Sequence, residues 1–194
     1  MPIGGSPYLL ENNVFVLGDN VECVVIDAPH DVEPIMDLVG SRQVKAIIVT
    51  HAHPDHVNAA EELRRRTGAP LYLHPADAAL WSQTCEGLWD EDLADGQQLM
   101  VAGAELRILH TPGHTPGSCM VYVPEQRELF SGDTLFPGGP GKTNSEGDFA
   151  QIMSSLDDIF GALDDDVIVH PGHGADTTLG AERGQLPQWR ERGW

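Results

Sequence analysis

The sequence is short of positive charge, of cysteine and of long apolar runs. Each shortage removes a class of answer. Only 11 residues are Lys or Arg, against 30 Asp and Glu, for a formal net charge of −19. A chain so poor in cations carries no basic footprint for nucleic acid, and an anionic membrane surface repels it. No run of about 18 apolar residues is present, so no transmembrane helix is expected. Met1 to Leu10 lacks a basic start and a continuous apolar stretch. It does not read as a secretory signal, and a cytoplasmic address is the expectation. The three cysteines, Cys23, Cys85 and Cys119, are odd in number and widely spaced. They read as reduced, buried thiols, not a disulfide framework.

What is present is a foldable globular chain. Its 194 residues fit one domain spanning 1–194, and 41% of them are hydrophobic, too many for a disordered acidic tail. Asn13 to Leu17 and Val21 to Asp27 read as strands around a Gly18-Asp19-Asn20 turn. Asp31 to Val39 has helical spacing, and Val44 to Thr50 is an apolar run that reads as a buried strand. Val57 to Arg66 reads as a helix, with Pro54 keeping the preceding loop non-helical. Leu71 to Leu73 is a short strand and Pro75 to Trp81 a helix. Ser82 to Gly96 is acidic and weakly patterned, a surface excursion.

Leu99 to Val101 with Glu105 to Leu109, and Ser118 to Val123 with Glu128 to Ser131, form two more strand pairs. Phe136 to Gly147 reads as a Gly/Pro-rich loop. Asp148 to Phe160 is a helix with Asp148 as its expected N-cap, and Val167 to Val169 is a last strand. The tail containing Trp189 and Trp194 is expected to pack on its own chain. Strand pairs open each half and strand–helix units follow. That order gives an α/β (α+β) fold of two mixed sheets packed together with helices outside.

Four strand ends deliver residues of metal-ligand type. Directly after Val44 to Val49 comes Thr50-His51-Ala52-His53-Pro54-Asp55-His56, with three His and one Asp in six residues. Neutral imidazole and carboxylate are the ligands of Zn²⁺ and similar ions. His114 follows an apolar run within Thr111-Pro112-Gly113-His114-Thr115-Pro116-Gly117. Asp133 ends Phe130-Ser131-Gly132-Asp133, and His173 lies in His170-Pro171-Gly172-His173-Gly174. Glycine lets backbone approach an ion closely, and proline stiffens the loop. His30, His74 and His170 adjoin prolines and read as turn or supporting residues. His110 ends a strand and is a candidate hydrogen-bond partner for a ligand group.

The ordered set H-x-H-x-D-H, lone His, Gly-Asp and Gly-His resembles the metallo-β-lactamase superfamily over nearly the whole chain. The resemblance implies a four-layer αββα sandwich with metals at one edge of the two sheets. It implies one metal on His51, His53 and His114, a second on Asp55, His56 and His173, and Asp133 bridging them. Two zinc ions per chain are the implied cofactors, and iron or manganese suit the same ligands. Asp27 matches a strand-end Asp that supports the metal loops. A hydroxide shared by the ions is the implied nucleophile, with Asp55 orienting it or carrying a proton.

Within the superfamily the chain looks most like short members of the glyoxalase II (hydroxyacylglutathione hydrolase) group, which hydrolyse thioesters. A small thioester or ester is therefore the expected partner, with no nucleic acid and no membrane. The oligomeric state stays open. Full-length glyoxalase II carries a C-terminal helical domain, and only Gly174 to Trp194 stands here. Lys142, a cation near the site loop, is a candidate for a substrate carboxylate. One alternative is a persulfide dioxygenase with a single Fe(II) on His51, His114 and Asp133, although its Gly-Cys-Gly-Arg loop is missing. Another superfamily esterase or lactonase, or a non-catalytic metal-binding protein, are the others.

Overall fold

The computed structural model describes residues 11–193. Its first half begins with β1 (Phe15–Gly18), β2 (Glu22–Ile26), α1 (Val32–Val39) and β3 (Gln43–Ile48). There follow α2 (Pro54–Val57), α3 (Ala60–Thr67), β4 (Leu71–Leu73), a 3-10 turn (Pro75–Asp77), α4 (Ala78–Trp81) and β5 (Glu91–Asp92). These strands form one sheet in the order β1-β2-β3-β4-β5, antiparallel between β1 and β2 and parallel thereafter. The second half adds β6 (Gln98–Val101), β7 (Ala104–His110), β8 (Cys119–Val123), β9 (Glu128–Gly132) and a small hairpin of β10 (Leu135–Phe136) and β11 (Gly139–Pro140). It ends with α5 (Glu146–Ala162), β12 (Ile168–Pro171), β13 (Thr177–Thr178), α6 (Leu179–Arg183) and α7 (Leu186–Arg192). The second sheet runs β13-β12-β9-β8-β7-β6.

Both sheets are mixed and packed face to face, as the strand–helix order requires. Strand side chains alternate between faces, and here both faces are covered. Along β2, Val24 and Ile26 point between the sheets to meet Ile48, Ile108, Val121 and Phe130. Cys23 and Val25 point outward into a layer with Ile35, Val39 and Leu63 of α1 and α3. On the other side Met120 and Leu129 meet Ile152, Leu156, Phe160 and Trp189. Helix, sheet, sheet and helix therefore stack in four layers. Among the described residues, no helix is long and apolar enough to cross a membrane.

Several boundaries depart from expectation for identifiable reasons. Pro54 does not keep its loop extended. It starts the helical turn α2, with His53 as N-cap, because a proline at the first helical position gives up an N–H that would have no partner there. The expected helix at 57–66 is thereby split, with α3 starting at Ala60. The cap of α5 is Ser145, not Asp148: the Ser145 Oγ accepts from the Asp148 N–H at 3.1 Å, so the helix starts earlier. Residues 82–96 are not only surface. Cys85 and Leu93 are buried, and β5 forms the edge of the first sheet. The stretch 136–147 contains most of the β10–β11 hairpin. Trp189 is buried against its own chain, 6.5 Å from Phe160 between ring centroids; Trp194 and residues 1–10 lie outside the described residues.

Candidate metal centre

Strands β7, β9 and β12 run in one direction, so their C-terminal ends open on one edge of the second sheet. The loop after β3 reaches the same edge, where the Cys119 N–H donates to the Thr50 carbonyl at 2.8 Å. His51, His53, Asp55, His56, His114, Asp133 and His173 meet there. Three overlapping groups each place one ligand atom per residue within 4.8 Å of the others: His51/His53/His114, His51/His56/Asp133 and Asp55/His56/His173. Asp133 stands between the halves, with Oδ2 3.6 Å from His114 Nε2 and 3.5 Å from His173 Nε2, and Oδ1 3.4 Å from His56 Nε2.

The tautomers follow from the partners on the far side of each ring. Carboxylate and carbonyl oxygens only accept. His56 Nδ1 lies 2.8 Å from Asp27 Oδ2, His114 Nδ1 lies 2.8 Å from the Lys142 carbonyl, and His173 Nδ1 lies 2.9 Å from the Glu11 carbonyl. Each Nδ1 therefore carries the proton, and each Nε2 faces the centre. There the nitrogens crowd one another. His56 Nε2 and His173 Nε2 are 3.3 Å apart, and His53 Nδ1 and His114 Nε2 are 2.9 Å apart. Inward lone pairs at these separations repel unless a proton or cation lies among them. His51 Nε2 and Asp133 Oδ1 are buried with no hydrogen-bond partner, although buried polar atoms ordinarily have one. The donor set is hard oxygen and imidazole nitrogen, which suits a divalent ion.

The electrostatics divide the residues. Burial, reinforced by His56 and His114, holds His51 well below the ordinary histidine range. Burial and His114 also lower His53. For His56 burial opposes the charge, but Asp27 and Asp133 outweigh it and raise the ring to about 10. The hydrogen bond to Asp133 raises His173. Burial works against the charge on Asp133, yet His173, His56 and His51 hold its carboxyl far below the usual range. Asp55 is likewise lowered against its burial by Asn12 and His56.

Asp27 sits at the end of β2 in the left-handed region, φ 59°, which aspartate tolerates better than most residues. Its Oδ1 accepts from the Thr50 N–H at 2.7 Å, and its Oδ2 accepts from the Thr50 hydroxyl at 2.7 Å as well as from His56. It thus aims the first histidine loop without facing the centre. Two glycines are required by space. At Gly132 (φ 49°) a Cβ would lie 2.7 Å from Thr50 Oγ1, and at Gly172 it would lie 2.5 Å from Asp133 Oδ1 and 2.6 Å from His56 Cε1.

Three features have no counterpart in the sequence reading. Asp77 is fully buried and ties the two histidine loops together. Its Oδ2 accepts from the Ala52 N–H and the Thr115 hydroxyl, each at 2.9 Å, and its Oδ1 from the Gly117 N–H at 2.6 Å. Asn12 Nδ2 donates to Asp55 Oδ2 at 3.2 Å. The Glu11 and Lys142 carbonyls fix two ring tautomers. Conversely, His110 does not reach any residue of the centre. It stacks on His74 at 3.9 Å and donates through Nε2 to the Pro116 carbonyl, because its strand pairing turns it away from the rim. His74 caps the 3-10 turn, and His170 faces Asp176 at 3.0 Å. The Lys142 side chain is exposed, and only its backbone touches the centre.

Comparison with known proteins agrees with this geometry. The family model described as the metallo-beta-lactamase superfamily matches residues 7–173. The chain is 31% identical over 194 residues to the hydroxyacylglutathione hydrolase GloC of Haemophilus influenzae, spanning 91% of this chain and 92% of that protein. Among solved structures it is similar to the B3 metallo-beta-lactamase BLEG-1 (TM-score 0.81, 29% identity, 93% of this chain and 95% of that one). It is also similar to TTHA1623 in a di-iron-bound form (TM-score 0.79, 31% identity, 97% and 100% covered). The four-layer fold, the His/Asp cluster at its edge and these matches together establish that the chain belongs to the metallo-beta-lactamase superfamily.

Proposed function

We propose that the chain is a hydrolase of small thioesters that works with two divalent ions, zinc as the expected pair. The observation that carries this reading is the pair of ligand groups that converge on Asp133. His51 Nε2, His53 Nδ1 and His114 Nε2 would hold one ion, and Asp55, His56 Nε2 and His173 Nε2 the other, with Asp133 shared. When bound, such ions polarise a carbonyl oxygen and bring the pKa of a held water to about 7.

The chain's own residues do the rest. Asp55 is half-exposed, kept ionised by Asn12 and His56, and its Oδ2 can orient an attacking water and take its proton. Asp27, Asp77 and the Lys142 and Glu11 carbonyls hold the rings in one orientation, so little is spent on reorganising them during reaction. The cysteines are not placed to serve as nucleophiles: Cys23, Cys85 and Cys119 are all buried, and burial raises each thiol. The likeness to the hydroxyacylglutathione hydrolase GloC supports a thioester over other acyl groups.

The test is metal analysis of protein grown with ample zinc or iron, paired with a thioester panel headed by S-lactoylglutathione. The proposal expects about two metals per chain and hydrolysis that chelation abolishes and metal restores. Loaded protein that hydrolyses none of the panel would overturn it.

A further inference from the structure

The two ligand groups are held by different parts of the chain. The first, His51, His53 and His114, is fixed from within the body: Asp77 ties its two loops together, and the Lys142 carbonyl orients His114. The second is more open, with the side chains of His173 and Asp55 22% and 30% exposed. Three consecutive residues just before β1, Glu11, Asn12 and Asn13, hold it in place. The Glu11 carbonyl accepts from His173 Nδ1 at 2.9 Å. Asn12 Nδ2 donates to Asp55 Oδ2 at 3.2 Å and lies 3.3 Å from His173 Nε2. The Asn13 N–H donates to the Gly172 carbonyl at 2.8 Å. Its Nδ2 donates to the Pro171 carbonyl at 2.9 Å and to the Gly174 carbonyl at 3.0 Å. Among the described residues, no hydrogen bond joins this segment to His51, His53 or His114.

The segment crosses from one sheet to the other. It leads into β1, the edge strand of the first sheet, yet its hydrogen bonds go to the loop after β12 in the second. Phe15 anchors the crossing, with its ring centroid 4.8 Å from that of Phe130 and 5.6 Å from that of His170. A carboxamide suits both positions. At Asn13 the two N–H groups of one amide satisfy carbonyls on either side of His173, which a carboxylate of the same shape cannot do. At Asn12 one N–H occupies a lone pair of Asp55, while Oδ1 is buried with no partner among the described residues. Buried acceptors are ordinarily paired, and an apolar side chain would avoid the orphaned oxygen. Packing therefore does not account for an amide at this position, and the contact with Asp55 does.

We infer that residues 11–13 form a strap that assembles the half-site of the second ion, with Asn12 and Asn13 as positioning residues for Asp55 and His173. The second ion is bound only as tightly as the strap is docked, and the first is independent of it. Coupling between two sites is reciprocal, so the second ion must in turn tighten the strap. The inference rests on the two-ion reading and is independent of which ester is hydrolysed.

Zinc binding to the full chain is followed by chelator competition and calorimetry for wild type, Asn13→Ala, Asn13→Asp and Asn12→Ala. One of the two zinc steps is expected to weaken about 10–100-fold in Asn13→Ala and about tenfold in Asn12→Ala, with the other step within about twofold of wild type. Asn13→Asp keeps the shape but turns acceptors toward the Pro171 and Gly174 carbonyls, so it should lose at least as much as Asn13→Ala. Amide hydrogen exchange in wild-type protein gives the reciprocal reading and needs no variant. Exchange of the Asn13 N–H should slow on the zinc step that the variants weaken and be indifferent to the other. Equal weakening of both steps, weakening of neither, or an Asn13 N–H indifferent to zinc would overturn the inference. Wild-type protein that binds a single zinc overturns the two-ion reading and the strap with it, whereas two zinc ions and unaltered variants overturn the strap alone. If wild type binds two ions with the expected split and hydrolyses no thioester, the function reading fails and the strap stands.

Discussion

Replacing Asp77 tests whether the metal centre depends on a residue that never faces it. Asp77 is completely buried and accepts three hydrogen bonds, from the Ala52 N–H, the Thr115 hydroxyl and the Gly117 N–H. Ala52 lies between His51 and His53, while Thr115 and Gly117 follow His114 in its loop. The carboxylate therefore clasps the two segments that supply the first ligand group. Asp77→Ala strands up to three donors, each costing about 1–3 kcal/mol when left unpaired in the interior. Thr115 can turn its hydroxyl to Ser118 Oγ, 2.8 Å away, so two stranded backbone N–H groups set the lower bound. Two such groups give a loss of roughly 2–6 kcal/mol, at the high end for a single substitution. Asp77→Asn keeps the shape and one acceptor oxygen. With that oxygen turned to Ala52 and Thr115, its amide confronts the Gly117 N–H, for a loss of roughly 1–3 kcal/mol.

The assay is urea unfolding of the metal-free protein, paired with zinc affinity by chelator competition. Stability is expected to fall in the order wild type, Asn, Ala. Zinc affinity should fall about 10–100-fold, as for other residues that orient ligands from behind. An Ala variant within 1 kcal/mol of wild type and with unchanged zinc affinity would refute the clasp.

Three further outcomes follow from the same geometry. His56 is raised from 6.5 to about 10 in the metal-free fold, so at pH 8 the folded protein holds a proton there that the unfolded chain lacks. Its stabilising contribution is complete below pH 6.5 and is lost as pH rises through about 10, and zinc entering at Nε2 must displace the proton. Calorimetry in buffers of different ionisation enthalpy should count about one proton released from this group at pH 8, vanishing above pH 10. Asp27→Asn removes the carboxylate that raises His56, so proton release at pH 8 should fall and zinc binding weaken by roughly 10–100-fold; unchanged release would contradict the assigned role. Burial pushes Cys85 up to about 12 and also raises Cys23 and Cys119. Iodoacetamide at pH 8 should leave the native protein unlabelled and label all three thiols in urea, whereas rapid native labelling would place a thiol at the surface.

The residues that converge on the candidate centre are legible in sequence because their chemistry is local. His51 to His56, His114, Asp133 and His173 each end an apolar run and adjoin the Gly or Pro that a tight rim loop needs. The layers were legible for a similar reason, since strands such as Cys23 to Ile26 are apolar at every position and need cover on both faces. Asp77 was not legible. Its partners Thr115 and Gly117 lie 38 and 40 residues away, and in sequence it is one more acid at a helix start. The carbonyls of Glu11 and Lys142 are equally invisible, because a backbone acceptor has no residue type. Pro54 is ambiguous in sequence, because proline excludes the helix interior and yet suits its first turn. At α5 both Ser145 and Asp148 are capping types, and only the backbone conformation chooses between them.

The proposed hydrolase stands on two ions held between these groups of residues with Asp133 shared. Anomalous diffraction at the zinc edge from crystals of zinc-loaded protein tests it most directly. Two peaks are expected roughly 3.5–4 Å apart, one among His51, His53 and His114 and the other among Asp55, His56 and His173, with an Asp133 oxygen on both. A single peak in fully loaded protein, or two peaks that Asp133 does not join, would contradict it.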